Sequence, residues 1–336
     1  MDAIGSAIII MYFIVQPNIF PCKDTHFNSN AKTFLYFFLY EQKRRVSTIT
    51  FNKFLWQNKL NFDKRLQRRG IIHIFASMFE NEIKEYERVR EVYQKKVAEK
   101  MNPRDWMDYN EILFSAHSCA IEGNSFTVDD TRILREQGMA MVPVGRSLLE
   151  CAEMADHFRA YDYVVSHLNH PFDEILLKEV NRLVAEHTLA YKAPDAVAGE
   201  YTTEDMAAGD TVFGDHNALV ARVPSLMAST ERAIADGVHP MIVAARFHGY
   251  FEYLHPFRDG NGRTGRLMSN FILMRADHPI VIIRKSDRQD YIMSLKQIRE
   301  EGTDEYLVAF FFRVAINRMN DELLQKERNS RHTFLF

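Results

Sequence analysis

The densest run of chemically capable side chains is His255-Pro256-Phe257-Arg258-Asp259-Gly260-Asn261-Gly262-Arg263-Thr264-Gly265-Arg266. A proline disfavours the α region for the residue before it, so a helix reaching this run ends at His255 and presents the imidazole at its terminus. Phe257, apolar among polar neighbours, is expected to anchor the run in the core. Gly260 and Gly262 let the backbone approach another group closely and turn its N–H groups outward. A helix begins there, and exposed N–H groups at a helix N-terminus attract anions. Arg263 and Arg266 are three apart, so they share a face, about 4.5 Å apart along the axis. Two guanidinium groups over an anion hole fit a polyphosphate. Asp259 beside them can hold Mg²⁺, which takes one or two carboxylates plus phosphate oxygens. Histidine readily exchanges a proton near neutrality, which makes His255 the general-base candidate.

The same run satisfies G-x-G-x-x-G from Gly260 to Gly265. A dinucleotide fingerprint needs a buried strand before it and a β-α-β unit around it. The preceding run, ARFHGYFEYL, is helical and aromatic, so that reading is excluded. Neither G-x-x-x-x-G-K-[ST] nor H-E-x-x-H occurs.

The elements that must hold this loop are helical. Ile83, Tyr86, Val89, Tyr93 and Val97 recur at three- and four-residue spacing, the mark of an amphipathic helix. Further helices are expected at 108–122, stopped by Gly123-Asn124, and at 147–169 and 173–189, separated by Pro171. Others are expected at 225–236 after Pro224, 241–254 with Pro240 in the first turn, and 263–276. Ser286 and Thr303 are the expected caps of helices at 287–300 and 303–326. The exception is 199–214. There Tyr201-Thr202-Thr203 and Thr211-Val212-Phe213 are β-formers around Ala-Ala-Gly-Asp turn material, which suggests a hairpin. The expected fold is mainly α with one small β-hairpin.

At its core loop the sequence resembles the Fic family, whose motif His255–Arg266 reproduces in full. The resemblance implies a Fic-type helical domain with the hairpin as its flap, and the transfer of AMP from ATP to a Ser, Thr or Tyr hydroxyl of a target protein. It makes His255 the general base and Asp259 the Mg²⁺ ligand. Asn261, with the Gly260 and Gly262 amides, would hold the α- and β-phosphates, Arg263 the β-phosphate and Arg266 the γ-phosphate. At the flap's end Phe213, Gly214, Asp215 and His216 are the nucleotide-contact candidates. Ser118-Cys-Ala-Ile-Glu122-Gly123 is similar to the family's inhibitory motif on an N-terminal helix. Glu122 at a helix C-terminus is disfavoured by the dipole unless paired, and Arg266 is its expected partner. An Arg266 so held cannot take a γ-phosphate. Two alternatives within the fold are AMP removal, with Glu122 positioning a water, and another nucleotide donor. A third, outside catalysis, is a nucleotide-sensing binding module.

Composition narrows the remaining classes. The chain has 336 residues, 46% hydrophobic and 26% charged, which excludes a mostly disordered polymer. Its net charge of −3 gives no basic field for nucleic acid. Three scattered cysteines argue against a disulfide framework and for a reducing, cytoplasmic setting. Residues 1–75 differ in kind, with eleven Lys/Arg against four Asp/Glu and 14 of the 41 aromatics. Their apolar run at 3–15 is short of the roughly 20 residues a membrane helix needs. Residues 1–77 show no clean helical or alternating period and are read as a poorly patterned extension upstream of a start at Met78, which opens a well-patterned helix; the alternative is a basic, aromatic membrane-associating arm, and no membrane partner is expected. The remainder divides into N-terminal helices at 78–124, a Fic domain at 125–328 and a tail at 329–336. The resemblance allows a homodimer, since many relatives control the brake by dimerising. His167 with His170 is read as a solvated pair without a third metal ligand, and His248 as a satisfied interior histidine. Phe310-Phe311-Phe312, Met268, Met274, Met293 and Cys119 are assigned to packing.

Overall fold

A computed structural model describes residues 78–208, 211–213 and 215–333. The expectations for 1–77, and for Gly214, lie outside these residues. Eleven helices are described, and the four-residue sixth carries one of the site's side chains. They are α1 Glu80–Lys96, α2 Pro103–Ile121, α3 Val128–Gln137, α4 Leu148–Ser166, α5 Glu174–Ala185, α6 Leu189–Lys192, α7 Leu219–Ala235, α8 Pro240–Leu254, α9 Asn261–Arg275, α10 Arg288–Glu301 and α11 Glu305–Thr333. Between α6 and α7 a two-stranded antiparallel hairpin pairs β1 Ala207–Ala208 with β2 Thr211–Val212.

The centre of the fold is α8, mostly apolar and buried at eleven of its fifteen positions. A helix of that pattern belongs inside, covered by other helices. It packs against α7, α9, α10 and α11. Its partner α9 is just as buried but carries Asn, Arg, Thr and Ser, so each polar group needs a partner inside. Asn270, for example, donates to the Val281 carbonyl at 3.0 Å and accepts from the Val281 amide at 2.8 Å. On the outside, α1 lays Tyr86, Val89 and Tyr93 against α11. Buried Arg318 of α11 pairs with Glu322 at 2.8 Å and donates to Asn110 of α2. Phe310, Phe311 and Phe312 are core residues, as expected, whereas Met293 is half exposed.

Several boundaries differ from the sequence reading. Helix α7 begins at Leu219 and carries Pro224 inside it. A proline there strips the Val220 carbonyl of its helical donor, and Val220 is exposed, so water can serve that carbonyl. Helix α2 starts earlier than expected because Asn102 caps it, its side chain accepting from the Arg104 amide at 2.9 Å. Ser286 caps nothing; the short turn Lys285–Asp287 leads into α10. Helix α3 was not anticipated, although Thr127 and Asp130 form a capping box at its start. In the hairpin the first strand is Ala207–Ala208 rather than Tyr201–Thr203. The β-forming Tyr201 pairs instead with Phe257, and the Thr202 amide donates to the Pro256 carbonyl at 2.8 Å. The root of the hairpin is thereby stitched to the chemically dense loop. None of the described helices is long and apolar enough to cross a membrane.

Glu150 ties the residues after α2 to the start of α4. One oxygen accepts from the Ser125 amide (2.8 Å) and hydroxyl (2.6 Å), the other from the Ser147 amide (3.0 Å) and hydroxyl (2.8 Å). The Ser125 hydroxyl above all, with the Ser147 and Ser125 amides, lowers its carboxyl from 4.5 to about 2. A depressed native pKa adds stability that is present above the unfolded value and lost as pH falls through the native one. Glu150→Ala should cost about 1 kcal/mol at neutral pH. The difference from the parent should fade as pH falls from 4.5 towards about 2 in denaturant titrations; a gap independent of pH would contradict the assignment.

Candidate active site

The loop between α8 and α9 is built by three backbone constraints. His255 ends α8 in the left-handed region at φ 47°, an uncommon conformation for a residue with a side chain, and Pro256 then prevents helix continuation. Gly260 precedes α9 at φ 78°, and a Cβ there would lie 2.9 Å from Val184 Cγ1. Asn261 spans the turn between them: its side chain accepts from the Phe257 amide at 2.9 Å and donates to the Phe257 carbonyl at 2.6 Å. Phe257 is fully buried against Tyr201 and Phe251, the expected anchor. From α5, Asn181 donates to the Asp259 carbonyl at 3.0 Å and to Thr264 at 3.2 Å.

This turn leaves a backbone cradle at the start of α9, and the cradle contains a carboxylate. Glu122, the residue at the end of α2, places Oε1 against the Gly262 Cα, so close that any Cβ on Gly262 would collide with it. The same oxygen accepts from Arg266 Nη2 at 2.7 Å. Arg266, 3% exposed, also donates from Nε to the Ser118 hydroxyl at 3.0 Å and from Nη2 to the Ser118 carbonyl at 2.9 Å. Burial works against its charge, yet Glu122 and Tyr291 hold the guanidinium above its ordinary pKa.

A second charged group lies beside it. Arg263, 1% exposed, reaches Glu153 Oε1 at 2.8 Å and Asp259 Oδ2 at 2.9 Å. Lys192 Nζ stands 3.2 Å from the same Asp259 oxygen and 3.4 Å from the same Glu153 oxygen. Burial alone would raise the Asp259 carboxyl's pKa, but Arg263 and Lys192 hold it below the ordinary range. An ionised carboxylate next to an anion cradle is a hard oxygen donor set. It fits a divalent cation such as Mg²⁺ that completes its shell from phosphate oxygens.

His255 is fixed from two sides. The Phe213 ring from the flap stacks on the imidazole at 3.7 Å between centroids, 16° from parallel. Glu252, one turn earlier on α8, brings Oε2 to 3.6 Å from Nδ1. Burial opposes the Glu252 charge, but His255 and His248 keep its carboxyl below its ordinary pKa. Interior His248 bonds to the Tyr291 hydroxyl through Nε2 at 2.6 Å, and burial lowers its pKa to about 4.

Glu122, His255, Asp259, Gly260, Asn261, Gly262 and Arg263 thus line one cavity of about 160 Å³, joined by Lys192 and Arg258. Small-molecule pockets usually measure roughly 300–1,000 Å³, so this one is sized for a phosphate group or two while Glu122 forms a wall. Arg266 and Ser118 lie behind that wall. Phe213 covers His255, but Asp215 and His216 do not join the cavity. Asp215 accepts from the Asn217 amide at 2.8 Å within its own turn, and His216 pairs at 2.8 Å with Asp205, on the opposite side of the hairpin. The Asn261 side chain is spent on Phe257, which leaves its backbone N–H as the group it can offer a phosphate. Lys192, Glu153, Glu252, Tyr291 and Asn181 were not anticipated. Only Glu252 had a sequence signal, its position one helical turn before His255. A larger opening of about 350 Å³ between α10 and α11 carries Asp290 and Arg313, which pair with each other at 2.8 Å.

Residues 171–273, which include the whole loop, match the model described as the Fic/DOC family. The chain is 39% identical over 184 residues to the protein adenylyltransferase Fic of Nematostella vectensis, across 54% of this chain and 42% of that protein. It is 34% identical over 201 residues to its counterpart from Culex quinquefasciatus, across 58% and 38%. It therefore spans about two fifths of the length of these curated relatives. Among solved structures, a fragment of Fic-1 from C. elegans superposes with a TM-score of 0.64 at 23% identity, covering 76% of this chain and 75% of that one. A Fic-domain-containing signaling protein from Bacteroides thetaiotaomicron gives 0.61 at 23%, covering 71% and 94%. At that identity the likeness speaks for the helical fold alone. The complete loop motif, with the phosphate-sized cradle it forms, thus lies inside the span that is similar to the Fic/DOC family.

Proposed function

We propose that the protein is a protein adenylyltransferase that transfers AMP from ATP to a hydroxyl on another protein, and that Glu122 holds it inactive at rest. The observation that carries the reading is the Glu122 carboxylate, lying in the Gly262 cradle and paired with Arg266. A carboxylate and a phosphate are both anions with oxygen acceptors, so a group that seats one can seat the other.

The chain's own residues then have separate tasks. His255, oriented by Glu252 and Phe213, takes the proton of the target Ser, Thr or Tyr hydroxyl through Nε2. The hydroxyl oxygen forms a bond to the α-phosphorus as the bond to the β-phosphate bridging oxygen breaks, and pyrophosphate leaves. The α9 N-terminal amides, Arg263 and Arg266 neutralise the phosphates and hold them for in-line attack. Mg²⁺ held by Asp259 would supply further charge neutralisation. Transfer of this kind depends chiefly on positioning and electrostatics. The flap, rooted on Pro256 and Phe257, offers strand edges that an extended target segment can join.

Incubation with α-labelled ATP and Mg²⁺ tests the reading. Glu122→Gly should incorporate at least tenfold more label than the parent, since about 1.4 kcal/mol is tenfold and charge-assisted hydrogen bonds contribute about that or more. Adding His255→Ala to that variant should abolish incorporation. Equal labelling of parent and Glu122→Gly would refute the brake. Loss of AMP from a modified target with the parent, but not with Glu122→Gly, would favour hydrolysis instead. No labelling with nucleotide still bound would indicate a binding module.

Gly262→Ala separates the cradle from the brake. Its methyl group would displace Glu122 from Arg266 but also fill the space a phosphate needs. The variant should gain no activity, and its ADP affinity by calorimetry should drop at least tenfold, even combined with Glu122→Gly. Activation by Gly262→Ala alone would show that the phosphates sit elsewhere.

A further inference from the structure

The four charges beside the cradle form a closed ring. Lys192 and Arg263 share the same oxygen of Asp259 and the same oxygen of Glu153, at 3.2 and 2.9 Å and at 3.4 and 2.8 Å respectively. Two cations thus balance two anions. They are not equally held. Arg263 is 1% exposed and enclosed by the core, whereas the Lys192 side chain is 38% exposed at the end of the four-residue helix α6. Of the two, only Lys192 can withdraw from Asp259 without leaving a buried charge unpaired. Its ammonium is a compact charge on a flexible stem, suited to such an exchange.

We propose that Lys192 is the resident cation of Asp259, displaced when a divalent metal arrives with the nucleotide. This rests on the reading of the cavity as a metal–nucleotide site. A divalent ion on the Asp259 carboxylate would face the ammonium across a shared oxygen, and like charges at such separation repel. Lys192 then retains Glu153 as its anchor. Two consequences follow from one displacement. The metal concentration needed to load the site is higher than Asp259 alone would set. In the absence of metal, the cavity keeps a cation able to attract phosphates.

The test uses the full chain carrying Glu122→Gly, with ADP binding followed by calorimetry as Mg²⁺ is raised from none to saturation. Direct Mn²⁺ binding without nucleotide is read by electron paramagnetic resonance. Lys192→Met should lower the Mg²⁺ midpoint for ADP binding by about two- to fivefold, the size expected from a half-exposed ion pair. It should tighten Mn²⁺ by a similar factor and weaken metal-free ADP binding. Lys192→Arg, which keeps the charge, should retain the parent's midpoint. If Lys192→Met leaves both metal readouts unchanged while ADP binds normally at saturating Mg²⁺, the role of Lys192 is overturned and the nucleotide site stands. If the Glu122→Gly parent binds no ADP at any Mg²⁺ concentration, the nucleotide site falls and the Lys192 proposal with it.

Discussion

A guanidinium buried in a helical core must have an anion. Arg266 sits at 3% exposure on α9, and an uncompensated charge there would cost several kcal/mol. The chain meets that requirement from α2. The Ser118 hydroxyl and carbonyl fix the orientation of the guanidinium, and the Glu122 carboxylate supplies the charge. The packing of α2 against α9 and the glycine at position 262 let the Glu122 carboxylate reach the guanidinium. The proposed regulation follows as well. Under the proposed function a nucleotide phosphate takes Arg266 by displacing Glu122, and binding and release of the brake become one event.

The neighbouring ring of Lys192, Glu153, Arg263 and Asp259 solves the same problem differently. Here both cations and both anions are the chain's own, and the ring is neutral without a ligand. Arg266 with Glu122 and Arg263 with its ring are two separate charge balances, three residues apart on one helix. Gly260 and Gly262 let both lie within reach of the backbone amides. The first takes the left-handed turn, and the second leaves room for an acceptor oxygen. Asn261 closes the turn from within by bonding both ends of Phe257.

The loop and the Glu122–Arg266 pair were legible from sequence because the signals that mark them are local. A proline after His255, two glycines and two arginines one turn apart prescribe a helix end, a cradle and a charged face. The Ser118–Glu122 spacing likewise places both residues on one side of α2. The charges that complete the site were not legible. Glu153, Lys192 and Asn181 lie on three other helices, and nothing in their own neighbourhoods marks them. Their roles arise only when α4, α5 and α6 are brought to α9. The flap failed in part for the opposite reason. Tyr201 and Thr202 do form extended pairing, as their propensity suggests, but with Phe257 and Pro256 rather than with the next strand. Local preference gave the conformation, and tertiary packing chose the partner. Asp215 bonds within its own turn, as Asp near a loop commonly does, and His216 bonds across the hairpin to Asp205.

The central claim is that one anion at a time occupies Arg266. Calorimetric titration of Mg²⁺–ATP into the parent and into Glu122→Gln, which keeps the side chain's shape but removes its charge, measures this most directly. Competition for the guanidinium makes affinity at least tenfold higher in the glutamine variant. Equal affinities would mean that Glu122 and the nucleotide do not compete for the guanidinium, and would contradict a single anion site at Arg266.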